Sequence, residues 1–228
     1  MEWPKRARTA NWENGVLTLD GEKKFEIPEL TLALMERLAG YPLVGFHVKG
    51  YPVTDELLAP FAEHKSMVNF GVEDGALTDA CFPVFFAMPK LRYLLLDGNA
   101  AIHGSGLSAL QSCKLDLLTL NRTGLDDAGL LQAASIPKLS HIQIDHTAVT
   151  YEGLLAIAGN NRIEPVAHVQ FTKEQMEYFR YIRGSAGHRR QQPHRAGGPC
   201  AVHQGADGIL PLHTRVCWPS PATTASSR

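Results

Sequence analysis

The chain has 228 residues, 44% of them apolar, with a formal charge of -1 at neutral pH and an isoelectric point near 6.8. That is apolar matter for one globular core or one short repeat array, and the near-zero charge gives no global attraction to nucleic acid or anionic lipid, so neither is an expected partner. Residues 1–15 hold no apolar run that could form a signal-peptide core, and no window reaches the roughly 18 apolar residues of a membrane helix, so the expected location is cytoplasmic.

In chain order, residues 15–27 alternate polar and apolar around Asp20-Gly21, the pattern of a β-hairpin. We read residues 1–29 as an N-terminal cap containing it. From Leu30 onward the chain repeats itself. A column of apolar residues runs Leu30, Val53, Leu77, Ile102, Leu125, Val149 and Phe171, with spacings of 23, 24, 25, 23, 24 and 22. Five residues after each stand Met35, Leu58, Phe82, Leu107, Leu130, Leu154 and Met176. Eight after stand Leu38, Phe61, Phe85, Leu110, Ala133, Ile157 and Phe179.

Offsets of five and eight share one helix face, and capping residues precede them: Thr54-Asp55, Thr78-Asp79, Asp126-Asp127, Thr150, and Thr172 with Gln175. Each unit is thus expected to open with a short helix. Pro42, Pro89 and Pro137 then stop three of the helices. Strands follow, written Leu43-x-x-Phe46-x-Val48, Met67-x-x-Phe70-x-Val72, Leu91-x-x-Leu94-x-Leu96, Leu115-x-x-Leu118-x-Leu120 and Leu139-x-x-Ile142-x-Ile144.

These L-x-x-L-x-L units resemble the leucine-rich-repeat family, in its variety of about 24 residues with the form LxxLxLxxTxLTDxGLxxLxxLPxL. The unit LDLLTLNRTGLDDAGLLQAASIPK, residues 115–138, matches most fully, and LSHIQIDHTAVTYEGLLAIAGNNR follows closely. The resemblance spans about 150 residues. It implies an α/β fold: a right-handed β-α superhelical solenoid over residues 30–183, with a concave parallel sheet, convex short helices and a helical C-terminal cap. The stretch IEPVAHVQ, residues 163–170, carries Pro165 and loses the alternation, so the last turn is expected to degenerate there into the cap.

Past Arg183 the composition changes. Residues 184–228 hold five Arg, no Lys and one acid among Gly, Pro, Ala, Ser and His, without repeat register. Too little apolar surface can be buried to offset ordering, so this tail is expected to be disordered, and its composition also fits out-of-frame or vector-derived translation. Cys200-x-x-His203 and His213-x3-Cys217 have zinc-ligand spacing but no periodic elements around them, so no metal and no cofactor is expected. Cys81 and Cys113 fall at repeat positions held by small or apolar residues and read as core thiols of a reduced compartment.

Strand alternation points a second set of residues out of the sheet. One outward column is Gly45, Asn69, Tyr93, Leu117 and His141; the next is His47, Gly71, Leu95, Thr119 and Gln143; the third is Lys49, Glu73, Asp97, Asn121 and Asp145. Tyr93, Leu95 and Leu117 form an apolar cluster that the core does not need, the makeup of a binding centre. Glu73 beside Asp97 sets like charges on neighbouring strands, which a basic partner would relieve, while Arg122, His141 and His146 could answer an acid. His141, Asp145 and His146 could be drawn as an acid/base cluster, but the register sets no Ser or Cys nucleophile beside them.

The expected function is therefore non-enzymatic: a protein partner held on the concave face by Tyr93, Leu95, Asp97, Leu117, Thr119, Asn121, Arg122, His141, Gln143, Asp145 and His146. By family analogy this means an adaptor, effector or inhibitor. Two other classes stay open. One is a non-catalytic part of a larger ligase or hydrolase; the other is a self-assembling module, such as a homodimer that covers the apolar cluster.

Overall fold

A computed structural model of the chain describes residues 3–160, 162–167 and 171–189. Their fold is α/β, built on one nine-stranded, mostly parallel sheet. The strands are β1 (Thr9–Glu13), β2 (Val16–Leu19), β3 (Lys23–Glu26), β4 (Gly45–Lys49), β5 (Asn69–Glu73), β6 (Tyr93–Leu95), β7 (Leu117–Thr119), β8 (His141–Gln143) and β9 (Glu164–Val166). Their order is β3-β2-β1-β4-β5-β6-β7-β8-β9, with β1 to β3 antiparallel and every pair from β1-β4 onward parallel. Gly45, Asn69, Tyr93, Leu117 and His141 lie side by side across this sheet, each 24 residues after the last (69-45, 93-69, 117-93, 141-117).

The hairpin expected around Asp20-Gly21 is β2-β3, and both turn residues have positive φ, 53° and 75°. It is preceded by a strand the alternation did not announce. β1 pairs with β2 across Asn14-Gly15, also both at positive φ (51° and 79°), the requirement of the tight turn that Asn-Gly favours. β1 then joins β4 in parallel, so the N-terminal segment extends the sheet as well as covering it.

Between the parallel strands run α1 (Leu32–Ala39), α2 (Asp55–Leu58), α3 (Phe82–Phe86), α4 (Asp127–Ser135) and α5 (Tyr151–Ala156), and α6 (Lys173–Arg189) follows β9. Short 3-10 turns at Ala59–Phe61, Asp79–Cys81 and Leu107–Ser112 complete them. Asp126 and Thr150 cap α4 and α5 by accepting from the N–H of Gly129 and Gly153. Thr172 and Gln175 make a reciprocal capping box at α6. Thr31 does the same single duty for α1, whereas Thr54 makes no side-chain cap bond. The unit at Ile102, which has no capping residue at the matching position, forms only a 3-10 helix.

All three apolar columns are buried, together with the inward residues of β4 to β8, in one continuous core. Phe70 lies within it, with ring centroids 5.1 Å from Phe46, 5.7 Å from Phe61 and 5.1 Å from Phe85, so strand and helix layers of two successive units meet on it. Cys81 and Cys113 are free thiols inside this core, and burial pushes the pKa of each up, so both stay protonated. Asn99 is the core's buried amide: its Nδ2 donates to the carbonyls of Val72 and Leu96 while its Oδ1 accepts from the N–H of Leu77, bonding that link two units.

Aspartates also stitch unit to unit. Asp55 accepts from the N–H and hydroxyl of Thr78, and Asp127 accepts likewise from Thr150. Asp79 accepts from the N–H groups of His103, Gly104 and Ser105 and from the Ser105 hydroxyl, holding the loop of the unit that lacks an α-helix. Burial raises the Asp79 pKa, but the Ser105 hydroxyl and the three backbone donors outweigh it and hold the carboxyl below its usual value. A carboxyl depressed in the folded state contributes stability above its unfolded pKa and loses it as pH falls through the folded one. Asp79→Asn should therefore unfold at lower denaturant than the native chain near neutrality, by about 1 kcal/mol or less since the group is largely solvated. The gap should narrow as pH falls below about 4. A gap that widens on acidification would contradict the assignment.

Two expectations need correction at the C-terminal end. Residues 164–166 form a strand despite Pro165, because β9 is the last strand of the described sheet: Glu164 donates to Ser140, and the proline nitrogen, which has no proton to give, faces the unpaired side. α6 also runs six residues past the composition break at Arg183, to Arg189. Residues 190–228, with Cys200, His203, His213 and Cys217, lie outside the described residues.

Candidate functional site

The sheet face opposite the helices carries the three outward columns, and β1 adds a further member to each: Thr9 beside Gly45, Asn11 beside His47 and Glu13 beside Lys49. Tyr93 is exposed, and Leu95 and Leu117 are partly so, as expected of a cluster the core does not use. The three form one wall of a groove of about 710 Å³. The opposite wall is Thr9, Asn11 and the Asp20-Gly21 turn. Gly45, Asn69 and Gly71 line its floor, with His47.

The glycines explain why there is a groove. A Cβ at Gly71 would collide with the His47 ring, so the imidazole lies over a strand position that only glycine leaves open. From there His47 Nε2 reaches Glu73 Oε1 at 2.9 Å. The signal for this half of the site was present in the sequence as two glycines, Gly45 and Gly71, at outward strand positions. β1, which supplies the far wall, was not anticipated, so the groove was missed.

Two acids of the third column have partners in neighbouring units. Glu73 pairs with His47, and Asp97 accepts from the backbone N–H and side-chain amide of Asn121, at 2.9 and 3.0 Å. Asn121 also donates to Gln143 and accepts from the Asp145 N–H, tying three strands together. Arg122 does not stand free for a partner's acid: it reaches back two units to Asp74 at 2.9 Å. Arg122 and His146 occupy a turn position with positive φ that recurs at Gly50, Asp74 and Gly98 (71°, 53°, 76°, 55° and 57° in chain order). The N–H groups of Gly50, Asp74, Gly98 and Arg122 each donate to the carbonyl one unit on.

Thr119 is the member of the expected contact set that does not fit. It is only 3% exposed although it points out of the sheet between Leu95 and Gln143, and its hydroxyl has no hydrogen-bond partner among the described residues. His141 is exposed and Gln143 and Asp145 partly so. His141 and Asp145 lie four residues apart along an extended chain, roughly 13 Å, so they form no acid/base cluster. The hydroxyl of Ser140 does, however, approach His141 Nδ1 to 2.8 Å, which corrects the expectation that no serine stands beside it. That hydroxyl also donates to the Asp116 main-chain carbonyl oxygen at 3.0 Å, and with its single proton placed there it is left to accept from His141 Nδ1. Among the described residues no cluster of three or more His, Cys, Asp or Glu could hold a metal, and no helix is long and apolar enough to cross a membrane.

Comparison of the chain with family models and with curated proteins returned no match in either.

Proposed function

We propose that the chain is a leucine-rich-repeat solenoid, a right-handed β-α superhelix, whose open sheet face binds a protein partner and performs no chemistry of its own. The observation that carries this reading is the apolar wall of Tyr93, Leu95 and Leu117 beside a groove of about 710 Å³, on the face that packing of the helices leaves free. A surface cluster of aromatic and aliphatic groups ringed by polar ones is the usual centre of a protein interface. The 24-residue register and the single lengthwise core support the repeat reading. The buried reduced thiols of Cys81 and Cys113 fit a cytoplasmic setting.

Adaptor, effector and inhibitor roles all use such a face. Assembly with further copies through the sheet edges is disfavoured, since β3 presents Lys23 and Lys24 and β9 carries Pro165, both devices that discourage edge pairing. The test is replacement of Tyr93 and Leu117 together by Ala. Both side chains point away from the core, so thermal unfolding should shift little. Affinity for the physiological partner should drop by about 2–4 kcal/mol, the loss typical of central interface residues. Equal affinity of the native and doubly substituted chains would remove this face from consideration.

A further inference from the structure

The open face changes character along its strands, and a partner must match the change. At outward positions β5 presents Asn69, Gly71 and then Glu73, two residues apart and thus about 6.6 Å from one to the next. Around Asn69 and Gly71 the surface is the apolar groove walled by Tyr93, Leu95 and Leu117. From Glu73 onward it turns acidic, because Glu73, Asp74 and Asp97 cluster at the strand ends, whereas Asp20 lies at the opposite end beside Thr9 and accepts from the N–H groups of Arg8 and Thr9. Arg122 pairs with Asp74 and His47 bonds Glu73, while Asp97 is held by the neutral Asn121, so three carboxylates here face two formal cations, Arg122 and Lys49. The exposed carboxamides of Asn11 and Asn69, both lining the groove, make no hydrogen bond among the described residues. A carboxamide both donates and accepts, so it matches the donor and acceptor of a peptide group.

An extended peptide repeats every two residues with the same spacing as the strand beneath it. We propose, building on the reading of this face as the interface, that the groove takes an extended peptide segment of the partner in which a bulky apolar residue is followed two positions later by Lys or Arg. The apolar side chain fills the space between His47 and the wall of Tyr93, Leu95 and Leu117. The peptide main chain bonds Asn11 and Asn69, and the cation meets Glu73 and Asp97. Charge complementarity selects this occupant over an acidic segment.

The test titrates the full-length chain with three capped peptides and follows backbone and side-chain amide signals by NMR. The peptides are acetyl-Gly-Ser-Trp-Ser-Arg-Ser-Gly-amide, the same with Glu for Arg, and the same with Ala for Trp. The first should move the signals of Asn11, Gly45, Asn69 and Gly71, and each change should weaken binding by about fivefold or more. Gly45→Phe, whose Cβ would meet Thr9 only at ordinary contact distance, fills the groove and should abolish the response with the fold retained. Tyr93→Ala, at an exposed side chain, should weaken it independently. No response, an equal response to all three peptides, or shifts confined to other parts of the chain would overturn the proposal. If the peptides fail but replacement of Tyr93 and Leu117 releases a partner that the native chain holds, the occupant is wrong and the interface stands. If that double replacement releases nothing either, both readings fall.

Discussion

Gly129→Ala is expected to destabilise the chain by about 2 kcal/mol net, although alanine is the better helix former by up to about 1 kcal/mol. Gly129 lies in the first half of α4 at ordinary helical φ, so propensity alone makes the substitution favourable. Packing decides otherwise. A Cβ there would collide with the carbonyl oxygen of His103 and sit 2.8 Å from Leu125 Cδ1 and 3.0 Å from the Cα of Gly104. Gly104, itself at a φ of 94°, returns the contact: a Cβ on it would lie 2.7 Å from the Cα of Gly129. The two glycines let the main chains of successive units touch, and main chain cannot move aside as a flexible side chain can. Urea unfolding of Gly129→Ala beside Gly159→Ala separates the two effects, since nothing lies within 4 Å of a Cβ at Gly159 and that variant should change by under about 0.5 kcal/mol. A more stable Gly129→Ala would mean that the units do not approach so closely.

Such contacts mark the boundary of what the sequence made legible. The inward residues of five strands and all three helix-side columns were readable because burial imposes periods of two and 3.6 that a single chain displays along its length. β1 was not, because Ala10 and Trp12 are its only inward residues and the Asn14-Gly15 turn is a local signal that says nothing of pairing with β4. β9 was discounted because of Pro165, a penalty that applies to central strands and lapses at an edge. At the candidate site, Tyr93, Leu95 and Leu117 followed from alternation alone. The cover over Thr119, the reach of Arg122 to Asp74 and the seating of His47 on Gly71 depend on side chains 24 or 48 residues apart in the chain, and alternation carries no information about them.

Phe70→Ala should cost more than Gly129→Ala, about 3–5 kcal/mol, a large share of the 5–15 kcal/mol by which a typical domain is stable. Phe70 is fully buried, and its ring touches Phe46 on the preceding strand, Phe61 in the preceding helical layer and Phe85 in its own. Truncation removes the apolar area and leaves a cavity between parts of two units that cannot collapse without moving the strands, whose spacing is fixed by backbone hydrogen bonds. Where each unit rests mainly on its neighbours, the loss should also be local in its propagation. Amide hydrogen exchange should then rise most in β4, β5 and the helices of the adjoining units, and least in β8 and α5. Phe86→Ala is the matched control: that ring is 60% exposed, so its removal should alter stability by under about 0.5 kcal/mol. Uniform loss of protection from β1 to β9 in Phe70→Ala would show a single cooperative block and would argue against a chain of units stabilised neighbour by neighbour.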